Sequence, residues 1–282
     1  TPPVAIAMRI RISHTIAYVY AEPARHITQI LRLTPRDHDG QHVMNWRIEP
    51  TIDGRLRATQ DPFGNIVHTF SADGPIADMA IQVEGLIETT DLAGIVRGVT
   101  ERVPVEVFRR DTLLTTRDAA LAAFAEDATR SAETPLSKMH ALMDALHERL
   151  PCIETGQRTG IGAAAAFAAG EGIPQDIAHI FMACARHLDR SARYVSGYVA
   201  QADGLPHANG AHAWAEVHLD DYGWIGFDPA NGLCPIDTHV RVAAGLDFAD
   251  AAPVRGARKG GDGEALAVSV SARNADGRAA NQ

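Results

Sequence analysis

Cysteine is scarce in this chain of 282 residues: Cys152, Cys184 and Cys234 are all there are. An odd count with no framework spacing excludes a disulfide-stapled secreted fold. Long apolar runs are absent too. No stretch approaches the ~18 uninterrupted apolar residues of a membrane span, so no membrane partner is expected. Residues 1–7 hold no basic segment followed by an apolar one, so no signal peptide is visible, and Met8 reads as the natural start with the first seven residues as an extension. Basic residues are in deficit, 26 against 35 acidic, for a formal net charge of −9. The one basic cluster, Arg255, Arg258 and Lys259, lies in a Gly-rich stretch and reads as solvated loop, which excludes nucleic acid as a partner. His207, His212 and His218 with Glu216 could be drawn as a metal set. Positions 212, 216 and 218 share a face only by the ordinary parity of a strand, so no metal and no other cofactor is expected. A cytoplasmic protein is the plain reading.

What is present suffices for a real core, with 46% hydrophobic and 22% charged residues. The first hundred residues alternate with a period of two. Met8, Ile10, Ile12, Ile16, Tyr18 and Tyr20 take even positions, and similar patterns recur at Gln29 to Leu33, Met44 to Ile48, Ile66 to Phe70 and Met79 to Val83. Turn chemistry at Thr34 to Asp37, Glu49-Pro50 and Asp61-Pro62-Phe63-Gly64-Asn65 separates them. Short antiparallel strands at this spacing predict a β-sandwich.

From Arg117 to Leu150 the chain turns to Ala, Leu and Met at helical spacing, with Pro135 placed to open a helix. A second Ala-rich stretch spans Ala163 to Ala169. An amphipathic helix follows from Pro174 to Leu188, with Ile177, Phe181, Cys184 and Leu188 on one side. Strands return at Ala192 to Gln201, His212 to Leu219, Gly223 to Phe227 and His239 to Ala243. Gly245 to Glu264 reads as a long loop, and Ala265 to Ala272 as a closing strand before a frayed tail.

Three pieces carry chemistry: Gly-Ile-Pro-Gln-Asp-Ile-Ala-His at 172–179, His-Ala-Trp-Ala-Glu-Val at 212–217, and Gly-Trp-Ile-Gly-Phe-Asp-Pro-Ala-Asn at 223–231. If Asp220-Asp221-Tyr222 is the turn, the last two pieces form a hairpin with His212 and Asp228 as diagonal neighbours, ~7–8 Å apart at the backbone. An aspartate there can hold an imidazole's tautomer and orientation. A different turn length puts them on opposite faces.

This order resembles the core of the transglutaminase/cysteine-protease superfamily, whose helix begins Gly-Val-Cys-Gln-Asp-Phe-Ala-His. His14-Thr15 with Tyr18, Arg32-Leu33-Thr34-Pro35 and Asp61 to Asn65 resemble the amino-terminal region of its bacterial members, and Arg193 to Tyr198 the strand after the helix. The resemblance covers about 8–272. It implies an α+β fold: an N-terminal antiparallel β-sandwich over 8–105, a papain-like core over 112–250 with helices packed on an antiparallel sheet, and over 251–282 a Gly-rich loop, a closing strand at 265–272 and a tail. It implies acyl transfer or hydrolysis at a glutamine or peptide amide, on a peptide or protein side chain, through a Cys-His-Asp triad. Matched residue by residue, His212 and Asp228 take the base and orienting positions, Pro174 stands at the nucleophile, and Gln175 and Trp214 line the binding region.

Proline at that position supplies no nucleophile and no N–H for an oxyanion, though a helix's first turn accepts it. A degenerate member acting as a peptide- or protein-binding scaffold is therefore the expectation. The alternative is a thiol-dependent amide hydrolase or transamidase with a relocated nucleophile, for which Cys234, six residues past Asp228, is the first candidate. Cys184 lies ten residues along the helix, about 15 Å away. Cys152 has no basic partner in sequence. His179 reads as a residue that packs or caps, Trp224 as a hairpin anchor, and Glu171 and Asp176 as favourable partners of a helix dipole.

Overall fold

The computed structural model describes residues 7–153, 161–200 and 211–275. Two long antiparallel strands, β1 (Met8–Thr34) and β4 (Ile66–Thr89), form the spine of the first sheet. β2 (Gln41–Pro50) pairs with one half of β4 and β3 (Arg55–Gln60) with the other. On the opposite side β11 (Glu264–Asn274) pairs with the first half of β1, and β10 (Val254–Lys259) with the second. The last strands of the chain thus complete the sheet that the first strands begin. One face buries Ile16, Tyr18, Tyr20, Ile27, Leu31, Phe70, Met79 and Ile81. Each such side chain contributes about 1.5–3 kcal/mol when taken out of water.

The patterns at 8–20 and 29–33 belong to one strand, as do those at 66–70 and 79–83. The punctuation between them, Ala21-Glu22-Pro23 and Asp73-Gly74-Pro75, is exposed and absorbed as register slips around Ala24↔Ile76 and His26↔Asp73. A proline at a bulge costs no ladder hydrogen bond, and a Cβ on Gly74 would lie 2.0 Å from the Ala24 carbonyl.

The expected long loop at 245–264 is a second correction. It holds a helical turn, α5 (Phe248–Ala251), and strand β10. Nearly every β10 side chain is exposed, so no apolar alternation marks it. Backbone pairing from His26↔Lys259 to Leu31↔Val254 makes it a strand. Arg255, Arg258 and Lys259 therefore sit on a sheet edge, where charge discourages further pairing.

The second unit packs four helices, α1 (Ala119–Ala128), α2 (Pro135–Arg149), α3 (Ala163–Ala169) and α4 (Pro174–His187), against a five-stranded antiparallel sheet. Its order is β5 (Ile95–Val96), β8 (Gly223–Phe227), β7 (His212–Leu219), β6 (Ala192–Val199), β9 (His239–Gly245). α4 is buried without a break from Asp176 to Arg186, as a helix enclosed by three others and a sheet must be. Arg186 within it donates to the carbonyls of Phe108, Ala192 and Leu246 and to the Thr115 hydroxyl, which ties loops to the helix end.

Side-chain amides join the two units at β9, an edge strand. Gln41 donates to the Arg241 carbonyl at 2.9 Å and accepts from its N–H at 2.8 Å. Asn65 does the same at Ala244, at 2.7 and 2.9 Å. Each amide stands in for a strand residue and satisfies an edge that would otherwise be open. Among the described residues, no helix is long and apolar enough to cross a membrane.

Candidate active site

The site follows from where strands start and stop. β7 and β9 both begin beside the end of β6, with Gly197↔His212 and Val199↔His239 in register, and β8 ends at the same edge. That edge therefore collects the first residues of two strands, His212 and His239, and the residue after a third, Asp228. The β7–β8 hairpin pairs Ala215↔Phe227 through Leu219↔Gly223 around Asp220-Asp221-Tyr222, a register that leaves His212 and Asp228 diagonal. Gly223 takes the positive φ of 77° that the turn requires.

His212 Nε2 donates to Asp228 Oδ2 at 2.6 Å. His239 Nε2 approaches the same oxygen at 3.2 Å, and Asn231 Nδ2 donates to it at 2.7 Å. Asp228 is fully buried, His239 nearly so, and the His212 side chain is 13% exposed. Burial alone would raise the Asp228 carboxyl's pKa. His212 and then His239 outweigh it by charge and hydrogen bonding, and the group is held below the usual carboxylate range. Because His239 Nδ1 accepts from the Ile236 N–H at 3.3 Å, the proton of that ring is assigned to Nε2. The hydrogen bond of His212 to Asp228 uses Nε2, which leaves Nδ1 as its second functional atom.

The supports are local. The 228–233 loop is closed by two backbone hydrogen bonds between Asp228 and Leu233. His147, at the end of α2, donates from Nδ1 to the Pro229 carbonyl at 3.2 Å. Trp214 is buried, with its ring 6.2 Å from His212 and 5.5 Å from His239. It lies over Gly197, where a Cβ would come within 2.5 Å of the indole. Glu216, two residues further on the same face, is fully buried between Arg193 (2.6 Å) and Arg241 (2.7 Å). Burial pushes its pKa up, the two guanidinium groups pull it down further, and it settles at about 2.

Pro174 is the first residue of α4, with Asp176 Oδ2 accepting from the Ile173 N–H at 3.3 Å. A proline there forfeits no helical hydrogen bond. The Asp176 N–H turns back to the Ile173 carbonyl at 2.9 Å, so it is not the outward donor that its position suggests. Gln175 beside it is half-buried. His179 is fully buried, accepts from the Phe248 N–H at 3.1 Å, and is pushed down to about 4 by burial.

The thiols differ sharply. Burial, with Asp118, pushes Cys184 up to about 12, and burial with Asp144 pushes Cys234 up to about 11. Both shifts oppose thiolate formation. Cys152 is exposed, and its backbone pairs with Gly172, two residues before Pro174. Sequence spacing did not reveal that proximity.

Of the metal set drawn from sequence, His218 faces Asp220 and Trp224, Glu216 is occupied by two arginines, and His207 lies outside the described residues. The group that does converge is His212, Asp228 and His239, whose ligand atoms lie within 4.8 Å of one another. His239 was missed as a site residue. Its only sequence signal is that it opens a predicted strand, as His212 does.

Comparison with known proteins agrees with this architecture. The bacterial transglutaminase-like N-terminal region matches residues 10–88, and the transglutaminase-like superfamily core matches 122–229. The chain belongs to the bacterial transglutaminase-like proteins. Similar chains include an uncharacterised protein of Mycobacterium leprae, 28% identical over 89% of this chain and 94% of that one. An uncharacterised protein of Mycobacterium tuberculosis is 26% identical over 90% and 88%. A crystal structure from Cytophaga hutchinsonii, named a "Putative Cysteine Protease", superposes with a TM-score of 0.74 at 20% identity, covering 94% of this chain and 91% of that one. At that identity it shows the fold, which is the transglutaminase-like fold of an antiparallel first unit and a cysteine-protease-like core.

Proposed function

We propose that this transglutaminase-like protein retains the base half of the family's site without its nucleophile, and binds peptide or protein segments bearing a glutamine or other amide side chain without turning them over. The reading rests on the contrast between Pro174 at the start of α4 and the intact His212–Asp228 pair. Acyl transfer by this family needs a thiolate to attack the amide carbon and an imidazole to move its proton. A proline can neither attack nor donate an N–H to the developing oxyanion. His212 still offers Nδ1 to an amide, and the half-buried Gln175 can reach a peptide backbone.

The alternative is an active amide hydrolase or transamidase with a relocated thiol. Its specific support lies in Cys152, which is exposed and backbone-paired beside the α4 entrance, rather than in Cys234, whose thiol is held protonated. The deciding experiment supplies a glutamine-bearing peptide and a primary amine, and follows amine incorporation and ammonia release together with peptide binding by calorimetry. The proposal expects binding that weakens on His212→Ala and no turnover. Turnover abolished by Cys152→Ser or Cys234→Ser would establish the relocated nucleophile, and absence of binding across a peptide panel would remove the scaffold reading.

A further inference from the structure

The convergence on Asp228 has a use that acyl chemistry does not require. A triad's orienting carboxylate needs one imidazole, and here two imidazoles and an amide meet at the same oxygen, at 2.6, 3.2 and 2.7 Å. We propose that His212, Asp228 and His239 form a binding site for one divalent transition-metal ion of the zinc class. The inference rests on the reading that no thiolate engages His212, since a thiolate–imidazolium pair would occupy the same ring.

Two imidazole nitrogens and one carboxylate oxygen are a donor set suited to Zn²⁺ with an open position. Zinc bonds of about 2.0–2.1 Å at tetrahedral angles place neighbouring ligand atoms about 3.4 Å apart. The His239–Asp228 separation of 3.2 Å is already close to that value, and the His212–Asp228 separation of 2.6 Å must widen. His212 is the ligand able to move, because it opens its strand and is the least buried of the three. Its partial exposure also leaves the open position facing solvent or a bound segment.

Metal-bound histidine needs its other nitrogen held. When Nε2 of His239 binds the ion, its proton moves to Nδ1, where the Thr238 hydroxyl at 3.1 Å accepts it. The Ile236 N–H, 3.3 Å away, then loses an acceptor, and that is the site's main cost. Asn231, with its amide 3.2 Å from His212 Nε2, gains an oxygen donor toward the ion on rotation of its amide plane. The cation takes the place of the protons now shared with Oδ2, so the buried carboxylate keeps a positive partner.

The test uses the untagged full chain, stripped by chelator and titrated with metal alone: Co²⁺ followed by its visible ligand-field bands and Zn²⁺ by calorimetry. One ion per chain is expected, with bands of a four- or five-coordinate site. His212→Ala and His239→Gln should each weaken Zn²⁺ binding by about tenfold or more. His187→Ala, at a surface pair with Glu126, should change nothing. His212→Ala removes the least buried of the three ligands, so it decides the matter even if His239→Gln does not fold. Lack of stoichiometric binding, a six-coordinate spectrum, or binding indifferent to His212→Ala would overturn the site and assign any ion to others of the 13 histidines. No peptide enters this titration, so its failure leaves the scaffold reading standing, and failure of the peptide panel leaves the metal result standing.

Discussion

Asp228 and Pro174 mark the two halves of the proposed site, and the molecule holds them in opposite ways. Asp228 is fully buried and accepts from two rings and an amide, in a loop fastened at both ends and propped by His147. Pro174 is half-buried at a helix start, with the capping of Ile173 by Asp176 and the bridge at Gly172 made by its neighbours and not by its own side chain. The base half is an over-determined polar network, in which every member depends on the others. The nucleophile half is a position that any residue suited to a first helical turn can fill. Loss of a thiol therefore costs the fold little, whereas loss of the carboxylate strands the buried His239 donor and unpairs His212 and Asn231.

Substitution in each half should expose this asymmetry. Asp228→Ala leaves the His212, His239 and Asn231 donors without their acceptor and should destabilise by about 3 kcal/mol or more. Pro174→Ala should cost under about 1 kcal/mol, chiefly by loosening the unfolded chain. Urea midpoints of the two variants test the difference, and equal costs would break the comparison.

Acid should act on the buried polar groups and spare the helix start. His14 and His179 are held down to about 4 by burial. Above pH 6.5 their folded and unfolded forms are both neutral. As pH falls from about 6.5 to 4, the unfolded chain takes up protons that the folded chain refuses, and stability is lost. Glu216, held at about 2 against an ordinary 4.5, keeps its contribution above pH 4.5 and loses it as pH falls toward 2. The urea midpoint should therefore decline in two stages, and Glu216→Gln should shrink the second, to which the depressed Asp228 carboxyl also contributes. A flat profile down to pH 4 would contradict the burial of both histidines.

A smaller effect concerns the seam between the units. Asn65→Ala leaves the Ala244 N–H and carbonyl without their partner and should cost about 1–3 kcal/mol. Its signature should be faster hydrogen exchange along β9, with Pro174 and its helix unaffected.

Much of this arrangement was readable before any coordinates. A turn at Asp220 to Tyr222 was one of the readings open to the sequence, and the pairing of Ala215 with Phe227 selects it, with the diagonal placement of His212 and Asp228. Proline at a helix start and the apolar side Ile177, Phe181, Cys184 and Leu188 marked α4 as amphipathic, whereas three helices and a sheet bury it on every side. What escaped was set by pairing rather than pattern. β10 is exposed at all but Val254, so only its ladder with β1 defines it. His239 comes from β9, three places across the sheet from β8, and no spacing along the chain brings it to Asp228. Cys152 meets the α4 entrance through a single backbone bridge to Gly172. Gln41 and Asn65 look like turn residues, and their roles appear only when β9 presents its open edge.

The most direct test of the central claim, an intact base half matched with a nucleophile position that holds proline, is to restore the thiol. In Pro174→Cys the sulfur would sit at the positive end of α4, where a helix dipole and a neighbouring imidazole lower a thiol's pKa. Iodoacetamide labelling at position 174 is followed across pH by mass spectrometry, with and without His212→Ala. The account predicts a thiol that titrates well below the ordinary ~8.5, reacts faster than Cys152, Cys184 or Cys234, and loses that advantage with His212→Ala. A thiol titrating near ~8.5 and indifferent to His212→Ala would contradict it.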